Sequence, residues 1–422
     1  MAEPTSGPGI EKQGIEKPKL TLGFVPLSDC APLVVARAHG LFARFGLDVT
    51  LSAEPSWANI RDKVAVGTLD GAHMLAALPI AATLGLGGLS RPMVTALSLN
   101  LNGNGITFSN ALWQAAVATG LVDEGSPASL GAALKQVVER RRAAGEPALT
   151  FAVVFPFSSH NYLLRYWLAS HGIAPDRDVA FAVVPPPLMV ARLEAGHIDG
   201  FCVGAPWNQR AAELGIGRVA LLSNAIWSHH PEKVLGVTRD FAESCPNTHA
   251  ALIAALIAAC RWLDQPGNGP ATAELMARKA FVDMPAEMLA PAYEGWIRPA
   301  AGEAPRPAPG LLVFHQHAAN FPWLSHAEWT LAQMRRWGQI GPEVDIRAVA
   351  ATVYRPDIYR AVTTALGVAC PAIDRKAEGI HGSAWPLAAA PIPMGADRFC
   401  DGAVFDPDAA DAAAGSHQSL KA

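Results

Sequence analysis

Five positions that could offer hydrogen-bond donors to one small ligand lie where predicted strands end or predicted helices begin. They are Trp57, Asn104, His160, Gly204 and Lys233. Indole, amide, imidazole and ammonium groups all donate N–H hydrogen bonds, and glycine lets a ligand approach the backbone closely. A small oxyanion needs several such donors around its oxygens and one positive charge, which Lys233 would supply. These residues therefore predict an anion-binding site.

Alternating strand and helix patterns would position these five residues. Such alternation predicts a mainly parallel sheet and an α/β fold. Ligands of open α/β sheets bind at the carboxyl ends of the strands, where helix N-termini favour anions. The predicted strands are residues 20–26, 47–51, 93–101, 148–154, 179–184, 199–203, 218–222 and 233–238. The predicted helices are residues 32–45, 60–67, 159–171, 186–195, 206–214, 247–265, 271–280 and 286–296.

Each candidate residue also has an ordinary structural explanation. Trp57 could be a core or surface aromatic, and His160 could cap a helix or lie satisfied in the core. Gly204 could permit close packing of a helix on a sheet. Lys233 taken alone would be a solvated surface lysine. Their shared placement at strand ends favours a binding site over these explanations.

Composition argues against a nucleic-acid or membrane protein. The 422 residues include 33 Lys and Arg against 37 Asp and Glu, which gives a formal net charge of −4. Without a basic excess, we expect no direct nucleic-acid binding, so any effect on RNA would pass through a partner. The apolar run over residues 250–260 is well short of the roughly 20 residues that a spanning helix needs, and the longer run over residues 74–89 contains Pro79, Thr83 and several glycines, so membrane insertion is not expected.

Motifs of common enzymes and metal sites are missing from the sequence. It contains no G-x-S-x-G, no G-x-x-x-x-G-K-[ST] and no H-E-x-x-H. His229-His230 and His315-x-His317 could bind a metal, but no nearby cysteine or carboxylate set completes such a site. The six cysteines form no C-x-x-C pair. We therefore expect neither an enzyme nor a bound metal or other cofactor.

Several segments in a fixed order carry a family resemblance. LTLGFVPLSDCAPLVVARAHGLF, SWANIRDKVAVGTLDGAHML, LNLNGNGI, SHNYLLRYWLA, VVPPPLMVARL, IDGFCVGAPWN and HPEKVLGVT resemble the nitrate- and bicarbonate-binding proteins of ABC transporters, the NrtA/CmpA type. They also resemble the related cytoplasmic nitrate sensor NasS. The resemblance covers residues 20–406 and includes a late DGAVFDP segment. It implies a type II periplasmic-binding-protein fold, in which a ligand cleft separates two α/β lobes.

The resemblance also assigns roles to the five candidate residues. Nitrate-binding members carry a tryptophan, a glutamine, a histidine, a glycine and a lysine in the cleft. These fall on Trp57 in SWANIRD, Asn104 in LNGNGI, His160 in SSHNYL, Gly204 in CVGAPW and Lys233 in PEKVLG. Asn104 departs from the glutamine and is one methylene shorter. Bicarbonate-binding relatives carry an acid at the position of Lys233 and use calcium, so the resemblance implies nitrate or nitrite without calcium.

The expected organisation follows from these patterns. Residues 1–19 form a disordered N-terminal arm, residues 20–109 and 224–376 form a discontinuous first lobe with added helices, residues 110–223 form the second lobe, and residues 377–422 form a tail that partly wraps the surface or is disordered. Asn247 is placed to cap the helix over residues 247–265.

The N-terminal residues distinguish two functions within this resemblance. Residues 1–19 lack the apolar segment of a secretory leader, which favours a cytoplasmic protein. A sensor of the NasS type would hold a NasT-like ANTAR antiterminator and release it when nitrate or nitrite binds. The alternative is the exported binding protein of a nitrate or nitrite ABC transporter, periplasmic and seen without its leader. A thiamine-precursor synthase shares the broad fold, but the cysteine-rich motif it needs is missing from the sequence.

Overall fold

The computed structural model describes residues 14–122, 125–388 and 391–409. Its strands are β1 (Lys19–Phe24), β2 (Asp48–Ala53), β3 (Gly71–Leu75), β4 (Met93–Val94), β5 (Ser98–Asn102), β6 (Asn104–Ser109), β7 (Leu149–Val153), β8 (Val179–Val183), β9 (Gly200–Gly204), β10 (Gly217–Leu222), β11 (Pro231–Thr238), β12 (Trp296–Ile297), β13 (Arg306–Pro307), β14 (Leu312–Val313), β15 (Trp385–Pro386) and β16 (Pro393–Met394).

The helices connect these strands and continue after them. They are α1 (Ala31–Ala38), α2 (Leu41–Arg44), α3 (Trp57–Ala65), α4 (Leu78–Thr83), α5 (Asn110–Val117), α6 (Pro127–Ala143), α7 (Ser159–Ser170), α8 (Met189–Glu194), α9 (Trp207–Glu213), α10 (Arg239–Ser244), α11 (Pro246–Leu263), α12 (Gly269–Met276), α13 (Ala286–Tyr293), α14 (Leu324–Arg336), α15 (Ile346–Val353) and α16 (Pro356–Leu366). In the described part of the chain, no helix has the length and apolar character required to cross a membrane.

The first lobe is built on a mixed sheet. Among the described residues this sheet has seven strands in the order β14-β5-β11-β3-β1-β2, and β4 also pairs with β11. Strand β1 runs parallel to β2 and β3, because helical segments on the chain between them return it to the same edge. Strand β11 returns from the second lobe and runs antiparallel to β3.

The second lobe holds a five-stranded sheet in the order β10-β6-β9-β7-β8, as far as the described residues extend. Strand β6 begins at Asn104, so the first lobe ends at Gly103 and not, as the sequence pattern suggested, at residue 109. The sequence gives no sign of this boundary, because only Gly103 separates β5 from β6. Asn102 (φ 63°) and Gly103 (φ 104°) make the turn in left-handed backbone conformations.

The free backbone N–H groups at the N-terminus of α11 donate hydrogen bonds to a residue far away in the chain. The expectation that Asn247 caps this helix is wrong, because the helix begins at Pro246. The Glu16 carboxylate instead accepts the backbone N–H groups of Asn247 (3.1 Å) and Thr248 (2.8 Å). Burial would raise the pKa of Glu16, but these amide hydrogen bonds lower it to about 2. Residues 14–18 are therefore docked here, while residues 1–13 of the expected arm lie outside the described residues.

The C-terminal helices contact both lobes. Helix α14 packs on α7 of the second lobe, whereas α15 packs on α4 and α16 packs on α11 of the first lobe. The Tyr162 hydroxyl of α7 donates to Gln339, just beyond α14, at 2.7 Å. Helices α4, α5, α6, α10 and α14 to α16 are not among the predicted helices. The expected assignment of residues 224–376 to the first lobe therefore does not describe α14, which packs on α7 of the second lobe.

The described part of the tail covers the connector between β10 and β11, residues 223–230. The Cys400 N–H donates to the Ile226 carbonyl at 2.8 Å. Trp227 stacks on Phe399 with ring centroids 4.9 Å apart, and its indole N–H donates to Asp397 at 3.0 Å. These contacts hold the tail against one of the two places where the chain passes between the lobes. Residues 389–390 and 410–422 of the expected tail lie outside the described residues.

Candidate functional site

The structure brings the five candidate residues together between the two sheets. Trp57 and His160 lie in the first turns of α3 and α7, Asn104 starts β6, Gly204 ends β9, and Lys233 is in β11. Asn104 is paired with Gly204 in the sheet, and the Lys233 ammonium lies 5.4 Å from the Trp57 ring centroid. Trp57 and Asn104 are 1% exposed, and His160 and Lys233 are 0% exposed. Lys233 is therefore not a solvated surface lysine, which was the alternative interpretation of this residue.

Serine caps place the two ring donors. The Ser56 hydroxyl accepts the Asn59 N–H at 3.3 Å and starts α3, so that Trp57 is its first residue. The Ser158 hydroxyl accepts the Asn161 N–H at 3.1 Å and starts α7 one residue before His160. Both rings therefore sit at helix N-termini, where the partial positive charge of the helix favours an anion.

A carboxylate that the sequence analysis did not select lies at the centre of the site. Glu232 Oε1 is 2.5 Å from Lys233 Nζ and 3.5 Å from His160 Nδ1. Its Oε2 accepts hydrogen bonds from the Asn104 amide at 2.6 Å and from the Ser159 hydroxyl. Three of the five predicted residues therefore already surround one internal carboxylate.

A second carboxylate holds Lys233 from the other side. Asp29 Oδ2 lies 2.7 Å from Lys233 Nζ, and Asp29 Oδ1 lies 2.9 Å from His73 Nε2. The His73 ring lies beside Trp57, with centroids 5.4 Å apart. Asp29 follows β1, and Glu232 stands in the HPEKVLG segment, so both lie at positions where the sequence analysis sought binding residues. The sequence analysis considered hydrogen-bond donors only and missed both.

The protonation states follow from these contacts. Burial alone would lower the pKa of Lys233, but Asp29 and Glu232 raise it above its usual value. Burial alone would raise the pKa of Glu232, but Lys233 keeps it lowered; Asp29 is lowered in the same way. Burial lowers the pKa of His160 to about 4, against the opposing effect of Glu232. Near neutral pH the cluster thus holds one cation, two carboxylates and a neutral imidazole.

Several polar atoms of the site have no partner. Within residues 14–122, 125–388 and 391–409, the Trp57 indole nitrogen, both His160 ring nitrogens and Asn104 Oδ1 make no hydrogen bond. Each unpaired buried polar group costs about 1–3 kcal/mol, so such atoms rarely gather without a reason. A small polar ligand among them would supply the partners.

Gly204 keeps the space beside these atoms open. A Cβ at this position would lie 3.4 Å from Asp29 Oδ2 and 3.5 Å from Asn104 Oδ1, which is ordinary van der Waals contact. Gly204→Ala should therefore fold, but its methyl group would occupy part of the space for a ligand. We expect the affinity for the predicted ligand, nitrate or nitrite, to fall roughly tenfold, or about 1.4 kcal/mol, in calorimetric titration.

A matched glycine provides the control for this substitution. Gly382 is exposed, and a Cβ there would be 3.6 Å from the nearest Arg398 atom. Gly382→Ala should bind the predicted ligand as the parent does. If Gly204→Ala also binds like the parent, Gly204 does not border the ligand.

The histidine pairs considered as metal ligands lie apart from this site or are already bonded. The rings of His229 and His317 are 4.9 Å apart, near the tail. His230 is bonded to the Ser223 hydroxyl at 2.7 Å and to the Pro231 carbonyl at 3.1 Å. In the part of the chain that the structure describes, no group of three or more His, Cys, Asp or Glu side chains is arranged to hold a metal ion.

Comparisons with known proteins place this site in context. The chain matches the NMT1-like family over residues 13–277. It is 33% identical over 399 residues to the nitrate/nitrite binding protein NrtA of Synechococcus elongatus, covering 92% of this chain and 84% of that protein. It is 39% identical to the nitrate import ATP-binding protein NrtC of Synechocystis sp. and 36% identical to the bicarbonate transport ATP-binding protein CmpC of Synechococcus elongatus, over 84% and 85% of this chain. The chain spans about half (51%) of the length of each of those two proteins.

A solved structure supports the same relation to nitrate-binding proteins. The crystal structure of the periplasmic nitrate-binding protein NrtA from Synechocystis PCC 6803 superposes with a TM-score of 0.82 at 29% identity. The match covers 94% of this chain and 97% of that one. The expected α/β fold of the periplasmic-binding-protein type, with two lobes, is confirmed.

Proposed function

Because this chain belongs to the NMT1-like family and is close to its NrtA nitrate-binding proteins, we propose that it binds nitrate or nitrite for an ABC import system. The observation that carries the proposal is the fully buried Lys233 ammonium beside the Trp57 indole and the His160 imidazole. The Trp57 indole nitrogen and both His160 ring nitrogens make no hydrogen bond to a described residue. Nitrate is a planar monoanion with acceptors only, so these N–H donors suit its oxygens.

The two lobes contribute to the site separately. Trp57 belongs to α3 of the first lobe, whereas His160 and Asn104 belong to the second lobe. The sequence analysis placed Asn104 in the first lobe, and the pairing of β6 corrects that assignment. An anion bound between Trp57 and His160 would favour the closed arrangement to the extent that it binds that arrangement better than the open one.

The proposed partners are components of an ABC transporter. NrtC is named as a nitrate import ATP-binding protein, and this chain matches about half of it. The protein of the superposed crystal structure is named as periplasmic, and we propose the same location here. The sensor interpretation, with a NasT-like antiterminator as partner and a cytoplasmic location, depended on residues 1–19. Since the relatives are named for binding and import, we prefer import to sensing.

A calorimetric titration with nitrate, nitrite, bicarbonate and sulfate tests this function. We expect saturable binding of nitrate or nitrite and none of bicarbonate, with or without calcium. Asp29 and Asn104 Oδ1 could accept the bicarbonate hydroxyl, so selectivity cannot come from donors alone. Instead we attribute it to Lys233, which stands where a calcium-dependent site would carry an acid. Calcium-dependent bicarbonate binding without nitrate binding would contradict the proposal.

A further inference from the structure

Before an anion binds, the site already contains more negative than positive charge. Lys233 carries the one positive charge among the described groups that line the site, and it contacts both Asp29 (2.7 Å) and Glu232 (2.5 Å). All three side chains are 0–1% exposed, so water screens them little. A monovalent anion would add a third negative charge to this enclosed space. Binding therefore needs a compensating positive charge.

His160 is the group placed to provide that charge. Its Nδ1 lies 3.5 Å from Glu232 Oε1, and neither ring nitrogen makes a hydrogen bond to any described residue. A neutral imidazole has one N–H, whereas an imidazolium donates from both nitrogens. A protonated His160 could donate from Nδ1 to Glu232 and from Nε2 to the anion. Both of its unpartnered nitrogens would then be satisfied.

We propose that this site takes up one proton together with each nitrate or nitrite ion, and that His160 receives it. The inference rests on the proposed function, and it adds that a proton binds together with the anion. Glu232 is the reason for the coupling, because its carboxylate shares the donors of Asn104 and Lys233 with the incoming anion and keeps its negative charge in the site.

Other titratable groups lie around His160 and differ in how free they are to take a proton and donate to the anion. Both ring nitrogens of His230 are occupied, by the Ser223 hydroxyl and the Pro231 carbonyl, so neither is free to donate to the anion, although Nδ1 also lies 3.7 Å from Glu232 Oε2. His73 is the alternative acceptor, since its Nε2 lies 2.9 Å from Asp29 and its Nδ1 makes no hydrogen bond to a described residue; the His160→Asn variant distinguishes the two histidines. Burial raises the pKa of the Cys202 and Cys30 thiols, so both stay neutral. The carboxylates of Asp29 and Glu232 remain ionised beside Lys233.

The sign of the pH dependence follows. The pKa of His160 is about 4 in the ligand-free protein, and a bound anion raises it. Between the free and the bound pKa, the complex holds one more proton than the free protein. The affinity for nitrate should therefore increase as the pH falls, by up to about tenfold per pH unit.

Calorimetry of the full chain with nitrate at pH 6, in buffers with different heats of ionisation, measures the proton directly. We expect close to one proton taken up per anion, and a Kd that rises with pH from about pH 5 until the bound pKa is passed. Nitrate binding with no proton uptake and a pH-independent Kd would overturn this inference and leave the proposed function standing. Failure to bind nitrate or nitrite at any of these pH values would instead reject the proposed function.

Two variants and a control locate the proton. Glu232→Gln removes the charge that the proton compensates, so nitrate should bind without proton uptake. His160→Asn keeps a side-chain donor but cannot titrate, so proton uptake should also be lost. His197→Gln, which changes an exposed histidine of the second lobe, should retain the uptake. Proton uptake that persists in His160→Asn would reject His160 as the acceptor, and the calorimetry of the parent decides the coupling even if a variant fails to fold.

Discussion

Lys233→Glu is expected to weaken nitrate binding by more than 100-fold and to destabilise the protein. The substitution would place a third carboxylate between Asp29 and Glu232, which both contact the Lys233 ammonium. Removing one partner of a buried ionic cluster costs about 3–5 kcal/mol, and two decades of affinity correspond to about 2.8 kcal/mol. Calorimetric titration and chemical denaturation would measure the two effects.

A surface lysine separates this effect from a general change in charge. Lys279 is exposed, so Lys279→Glu makes the same charge change away from the site. This control should bind nitrate and unfold as the parent does. Lys233→Met removes the ammonium without adding a negative charge, and it should also lose binding. If either Lys233 variant binds nitrate within twofold of the parent, the ammonium does not contribute to the site.

Trp227→Ala is expected to lower the free energy of unfolding by about 3–5 kcal/mol, as is usual for the removal of a buried tryptophan. Trp227 is 0% exposed, and its ring lies 4.6 Å from Trp329 and 4.9 Å from Phe399. The substitution would leave a cavity, and Asp397 would lose its indole donor. Urea denaturation of parent and variant measures the difference.

Limited proteolysis adds a second measurement, because Trp227 joins the interlobe connector to the tail. The tail beyond Lys376 should become sensitive to protease in Trp227→Ala. Trp296 is 43% exposed, so Trp296→Ala should change the unfolding free energy by much less and leave the tail protected. An equal loss of stability in both variants would show that the packing around Trp227 is not what fixes the tail.

The five predicted residues lie together in the structure, but the sequence analysis did not predict the carboxylates beside them, and β11 shows why. Neighbouring residues of a regular strand point to opposite faces, so Glu232 would be expected to point away from Lys233. The pairing of β11 with β5 is irregular on both sides of Lys233, with register shifts after Pro231 and before Val234. At this irregularity the adjacent side chains of Glu232 and Lys233 both face the same site. Such a local departure from regular strand geometry leaves no pattern in the sequence.

The division into lobes was predictable only in outline. Alternating strands and helices indicated two α/β lobes, and the return of the chain near residue 233 corresponds to β11. The pattern could not separate β5 from β6, because a single glycine stands between two apolar strands. Nor could it show that α14 packs on the second lobe, since periodicity identifies the buried face of a helix but not the neighbour that covers it.

The near-complete burial of Trp57, His160 and Lys233 affects how long a bound anion stays as well as how tightly it binds. We expect an anion bound among side chains as buried as these to leave mainly when the lobes separate. Its residence time would then be limited by how often the protein opens, and collective domain motions occur over microseconds to milliseconds. Strengthening a single hydrogen bond in the site would prolong the stay of the anion only if it also made that opening rarer.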